Sequence, residues 1–261
     1  MFGEIAAALW AELLKVRRSL VPWVTVVAFT VAGLVGGFFM FVLQDPGRAR
    51  SLGLLGAKAQ FAGGTADWAG YLALIAQIAA VGGLLVFGLV IIWLFGREFS
   101  DRTAKDLLAL PTARSAVVGA KLIVAAGWCL LLTAQLIVLS LLLGAILGLP
   151  GWSADTVSRG LGTVIATTLL TVALATTYGL AASIGRGYLA AVGAMFVSLF
   201  AAQVIAALGF GAWFPWSVPS LLSGVAGPDQ AGPLSIAAVV VVGAAASAAT
   251  AIWWERADHD R

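Results

Sequence analysis

Six runs of the sequence, Leu20–Leu43, Ala69–Phe95, Leu122–Leu149, Gly160–Ile184, Tyr188–Leu208 and Pro233–Trp254, contain no Asp, Glu, Lys, Arg or His. Each reaches the roughly 20 residues that a helix needs to cross the hydrocarbon core of a bilayer. In hydrocarbon the backbone must satisfy its own N–H and C=O groups, so runs this long and apolar are read as helices. Only 10% of the 261 residues are charged, against roughly 25% in a soluble domain. The expected fold is an all-α membrane protein with six transmembrane helices, occupying residues 20–254.

The tryptophans agree with these boundaries, because the amphipathic indole favours the membrane–water interface. Trp23, Trp68, Trp93, Trp152, Trp213, Trp216, Trp253 and Trp254 fall at or just beyond run ends, and Trp128 alone lies well inside a run. Lys and Arg counts orient the chain. With both termini in the cytoplasm, Lys15, Arg17, Arg18, Arg97, Arg102, Lys105, Arg114, Lys121, Arg186, Arg256 and Arg261 lie inside and Arg48, Arg50, Lys58 and Arg159 outside. A multi-pass protein with cytoplasmic termini is expected. The net charge of +3 is then a topological signal, and no nucleic-acid partner is read from it.

Residues 1–19 are too polar to span. Phe2, Ile5, Leu9, Leu13 and Val16 recur at helical spacing, with Glu4, Glu12, Lys15 and Arg18 largely on other faces. That pattern predicts an amphipathic helix lying in the headgroup layer, with a bend at Ser19 and Pro22. The start is too long and too acidic for a cleaved leader, so the first run is expected to be a retained span. Within it, Gly33 and Gly37 make a small-xxx-small pair that lets another helix approach closely. The only cysteine, Cys129, is expected to be a small buried hydrophobe.

The long polar side chains of the spans are Gln77, Gln135 and Gln203, and an unpartnered amide in hydrocarbon costs a few kcal/mol. The fourth span is threonine-rich, including Thr167 and Thr171. Threonines there bond back one turn or across to a neighbour. Gln77, Gln135, Thr167, Thr171 and Gln203 are therefore candidates for lining a substrate path, with helix packing as the plainer role of the threonines. The outer segment 209–232 crowds Phe210, Trp213, Phe214 and Trp216 around Pro215 and Pro219, and is expected to dip into the interface. A charged tail, 255–261, ends the chain.

Several chemistries are excluded. There is no Gly-x4-Gly-Lys-Ser/Thr phosphate loop, so this chain does not hydrolyse ATP itself. Paired histidines, paired intramembrane aspartates and mid-membrane ionisable groups are all missing from the six runs. No catalytic residue and no metal ligand is assigned, and the energy for any transport must come from elsewhere.

One charged island remains, residues 96–121, flanked by long uncharged runs. It holds Arg97, Glu98, Asp101, Arg102, Lys105, Asp106, Arg114 and Lys121. Ser100 is placed to cap a helix with Asp101 in its first turn, Leu107, Leu108 and Leu110 follow, and Pro111 starts a new segment. The expected product is an amphipathic helix of about two turns, its leucines available to a groove on a soluble partner. An ordinary positive-inside loop is the simpler alternative.

The run Glu98-Phe99-x-Asp101-Arg102-Thr103, followed by Leu107, Leu110, Pro111, Arg114 and Lys121, resembles the cytoplasmic segment after the second span of type-2 ABC exporter permeases. The likeness is to the bacitracin and lantibiotic permease branch. Glu12-x-x-Lys15-x-x-Arg18 resembles that family's interfacial elbow helix, and Pro215-Trp216-x-x-Pro219 its outer segment. The resemblance implies that Glu98, Phe99, Asp101, Arg102, Thr103, Leu107, Leu110, Pro111 and Arg114 form the ATPase-coupling element. It implies a non-catalytic permease subunit of a bacterial plasma-membrane exporter, working with a second permease copy or paralogue. A separate nucleotide-binding ABC ATPase would carry ATP and Mg, no cofactor being bound by this chain. The implied cargo is an amphipathic or lipid-associated compound such as a peptide antibiotic. The competing reading is an ATP-driven transducer acting on an extracytoplasmic partner, as in permeases associated with copper-enzyme maturation.

Overall fold

The computed structural model describes residues 2–45, 47, 51, 53, 65–103, 113–224 and 231–256. Among them the regular elements are all helical. α1 (Phe2–Arg17) precedes α2 (Val21–Gln44). α3 (Trp68–Gln77) runs through a π-helical turn, Ile78–Gly82, into α4 (Gly83–Ser100). Then come α5 (Arg114–Ile146), α6 (Ala154–Ile184), α7 (Tyr188–Ala207), the short α8 (Val218–Leu222) and α9 (Pro233–Arg256). Six helices are long and apolar enough to cross a membrane: α2, the continuous Trp68–Ser100 stretch, α5, α6, α7 and α9. The protein is an all-α, multi-pass membrane protein with both ends of the bundle chain on one face, here called the terminal side.

Two helices extend well past their uncharged runs. α5 begins at Arg114, where the sequence pattern starts the span at Leu122, and α6 begins at Ala154 ahead of Gly160. The extra turns of α6 are held by Ser153, whose hydroxyl accepts from the Thr156 N–H, and by the exposed Asp155–Arg159 ion pair. Both devices are those of an ordinary helix start. At the other boundary, Ser100 is the last residue of α4 and Asp101 caps its C-terminus. The sequence expectation that these two open a new helix is therefore corrected.

α6 is the hub, lying against α3, α4, α7 and α9. Apolar surface gains little from leaving lipid, so helices in a bilayer associate through close backbone approach and interhelical hydrogen bonds. Both are present. A Cβ on Gly243 of α9 would stand 2.7 Å from the Ala173 carbonyl oxygen of α6, so glycine is what permits that crossing. The Thr176 hydroxyl donates to the Ala173 carbonyl of its own helix and lies 3.1 Å from the Gly243 carbonyl. Gly33 and Gly37 of α2 form the anticipated close approach: their faces are filled by Leu139 and Leu143 of α5. The same pair of helices is laced by Gln135, whose amide donates to the Val26 carbonyl and the Thr30 hydroxyl. Trp128 completes it, its indole N–H donating to Thr25 Oγ1 at 3.0 Å.

Cys129 is buried, as expected of a small hydrophobe. Two boundary tryptophans take a different role from interfacial anchoring. Trp68 is buried against Gly144 and Trp152. Trp254 is 0% exposed and its indole donates to Ser183 Oγ. The outer aromatic segment folds back on the bundle: Ser217 and Val218 are buried, and the Ser217 hydroxyl donates to the Ala202 carbonyl. Trp213 and Phe210 stay exposed.

Candidate functional site

The two ends of the charged island meet the first helix at one buried point. α1 turns Ala8, Glu12 and Val16 toward α5 and leaves Trp10 and Leu13 exposed. This corrects the sequence expectation that Glu12 lies off the buried face. The reason is electrostatic: Glu12 meets a lysine there. Lys121 sits two turns into α5, fully buried, and its amine reaches three acceptors. They are Glu98 Oε1 at 2.8 Å, Glu12 Oε2 at 3.1 Å and the Leu94 carbonyl at 2.9 Å. Lys15 adds a second cation, 2.6 Å from Glu98 Oε1 and 2.7 Å from Glu12 Oε1. The free oxygen of Glu98, Oε2, accepts from the Thr103 hydroxyl at 2.8 Å.

Two carboxylates and two ammonium groups balance, which explains why α5 continues as helix through a charge that the sequence pattern treats as a loop residue. A buried ion needs a partner and further hydrogen bonds to offset desolvation. Burial pulls the Lys15 ammonium toward deprotonation, but Glu12 and Glu98 outweigh it and hold the amine above its ordinary range.

Phe99, the residue after Glu98, packs edge-on against Trp253 and Trp254, with centroids 5.9 and 5.8 Å away. Arg114, at the start of α5, donates to the Trp254 and Glu255 carbonyls at 3.2 and 3.3 Å. A cation there caps carbonyls of the last turn of α9 and complements its dipole. Asp101 pairs with Arg97 at 3.1 Å, and Arg102 is exposed at a positive φ of 59°. Residues 104–112, with Leu107, Leu110 and Pro111, lie outside the described residues, as do Arg48, Arg50, Lys58 and the tail beyond 256. On either side of 104–112 the chain is thus fixed to the bundle, by Glu98, Phe99 and Thr103 before it and by Arg114 after it.

A family profile described as ABC-2 family transporter protein matches residues 8–202. The chain belongs to the ABC-2 transporter family. The match includes the ion cluster and both flanks of the charged island. This ABC-2 protein is also similar to the bacitracin transport permease protein of Bacillus licheniformis, 26% identical over 180 residues, covering 67% of this chain and 85% of the relative. No solved structure matches it.

The ABC-2 permease does not gather the five candidate lining residues into one place. Thr167 and Thr171 are buried in α6, and the Thr171 hydroxyl bonds back to the Thr167 carbonyl. Gln135 is used up between α5 and α2. Gln77 is half-buried just before the π turn, and Gln203 is exposed on α7. Glu12, Lys15 and Lys121, by contrast, are members of the site that the sequence reading left out of the coupling element. Their signal was present: a lone lysine beside a long uncharged run, and a glutamate four residues from Ala8 and Val16 on one helical face. Among the described residues, no three His, Cys, Asp or Glu side chains converge to hold a metal.

Proposed function

We propose that this chain is the permease subunit of an ATP-driven exporter that moves an amphipathic or lipid-associated compound, of the peptide-antibiotic kind, out of a bacterial cell. The observation that carries the reading is the anchoring of both flanks of residues 104–112 to the bundle core, through Glu98–Lys121 and through Arg114. Flanks tied this way connect both ends of that segment to the spans, which suits it to transmit force between a soluble motor and a membrane bundle. The motor is a separate ATPase subunit carrying ATP and Mg, and it docks on residues 104–112 through Leu107 and Leu110. The excess of Lys and Arg on the terminal side puts that side in the cytoplasm. A second permease copy or paralogue completes the membrane unit. The named activity of the Bacillus relative supports the cargo class.

The test is co-purification of the tagged chain from native membranes in mild detergent, beside the Leu107→Asp variant. An ATPase with a phosphate loop is expected with the parent chain and not with the variant. Recovery of a folded parent chain without any ATPase overturns the reading.

A further inference from the structure

Two cavities on the terminal side abut and share Trp93 and Tyr188, but their linings differ in kind. The first, of about 610 Å³, lies between α1, the end of α4 and the start of α7. Its charged edge is made of Lys15, Arg18, Arg97 and Asp101, with Ser19 beside them. The second, of about 440 Å³, runs on between α2, α4 and α7 along Val24, Leu89, Ile92 and Val192. Its lining is almost wholly hydrocarbon, and Val24 and Leu89 are exposed to whatever fills it.

The cations of the first cavity are not equivalent. Lys15 is committed to Glu12 and Glu98. Arg97 pairs with Asp101 at 3.1 Å and lies 5.6 Å over the Trp93 ring. Arg18, exposed at the end of α1, pairs with no carboxylate among the described residues. The cavity therefore carries uncompensated positive charge. The N-terminus of the 24-residue α2 opens at the junction of the two cavities, with Ser19 in one and Leu20 and Val21 in the other. Its dipole adds to the attraction for an anion.

A positively charged mouth joined to an apolar groove at the edge of a membrane bundle matches one ligand chemistry. We propose that this cleft binds an anionic phospholipid of the leaflet on the terminal side, with its phosphate between Arg18 and Arg97 and an acyl chain along Val24, Leu89, Ile92 and Val192. Guanidinium groups suit a phosphate because they present planar pairs of N–H donors. The bound lipid ties α1 to α2, α4 and α7 and fills a gap that protein leaves open.

The test uses the purified full chain in mild detergent, equilibrated with dioleoylphosphatidylglycerol or dioleoylphosphatidylcholine, with retained lipid counted by native mass spectrometry. Phosphatidylglycerol is expected to be retained about tenfold more tightly, corresponding to about 1.4 kcal/mol. The Arg18→Ala/Arg97→Gln double variant is expected to bring the two lipids to parity. Val24→Trp, a change at an exposed position, is expected to reduce retention of both lipids by filling the groove. Circular dichroism confirms that each variant is folded. Equal retention of the two lipids by the parent chain, or retention unchanged in both variants, overturns the proposal. Displacement of the lipid by inorganic phosphate alone also overturns it, since the site would then take a free anion, as does exclusion of lipid by a second copy of the chain.

Discussion

Lys121 and Glu98, 23 residues apart in sequence, meet at 2.8 Å at a point where neither is more than 3% exposed. Glu98 ends the second span and Lys121 lies early in the third, so this contact closes the base of the charged island. Glu12 and Lys15 bring the first helix to the same point.

Removing Lys121 from that cluster leaves two buried carboxylates facing the single ammonium of Lys15. Lys121→Met is expected to destabilise the chain by about 3–5 kcal/mol, the range for breaking a buried ion pair. The Glu98→Leu/Lys121→Met double variant is expected to lose less than the sum of the two singles. Chemical unfolding of all three variants in detergent gives the coupling energy, and strict additivity would show that the two residues do not act together.

Lys15 gives a pH dependence with a defined sign. Its amine is held above the ordinary value of 10.5, so the stabilisation it provides is complete below that pH and is lost as pH rises through the elevated value. The melting-temperature gap between the parent chain and Lys15→Gln is expected to stay constant from neutral pH to about 10 and to narrow above it. A gap that closes between pH 6 and 8 would contradict the assignment.

Helix crossing at Gly243 has little room to adapt, because the nearest obstacle is the Ala173 backbone. Gly243→Ala is expected to cost about 1–3 kcal/mol through overpacking. Gly119→Ala, where a Cβ meets nothing within 4 Å, is expected to be neutral or to stabilise α5 by up to about 1 kcal/mol. Thermal unfolding of the two variants distinguishes a packing effect from a general intolerance of methyl groups.

Gln135 links α5 to α2 by two hydrogen bonds. If the bonds are structural, Gln135→Leu lowers stability by about 0.6–2 kcal/mol and leaves transport selectivity alone. A changed substrate range with unchanged stability would restore Gln135 as a path-lining residue.

For force transmission, Leu107→Asp is the cleaner variant and Glu98→Ala the stronger one. Leu107→Asp is expected to abolish stimulation of the partner ATPase with no change in the chain's own melting temperature. Glu98→Ala is expected to lower both, because Glu98 also belongs to the buried cluster. ATPase and melting measurements on the same preparations separate the two effects.

Sequence alone determined the membrane class, the six spans and the special position of the charged island. Each rests on local composition: an apolar run has few folds open to it in a bilayer, and a charge run must find water or a counter-charge. Even the tight crossing at Gly33 and Gly37 was legible, because small residues one turn apart mark a helix face. Tertiary structure decided which charges are solvated. Lys121 and Glu12 look like loop and surface residues along the chain, yet each is buried by the other; spacing on a helix can hint that a charge faces inward, but it does not name a partner 109 positions away. It decided equally that Trp254 belongs to the core and that Gln135 binds a neighbouring helix. Whether a polar or amphipathic side chain faces lipid, water or protein depends on which helix lies beside it, and that is set by the packing of the whole bundle.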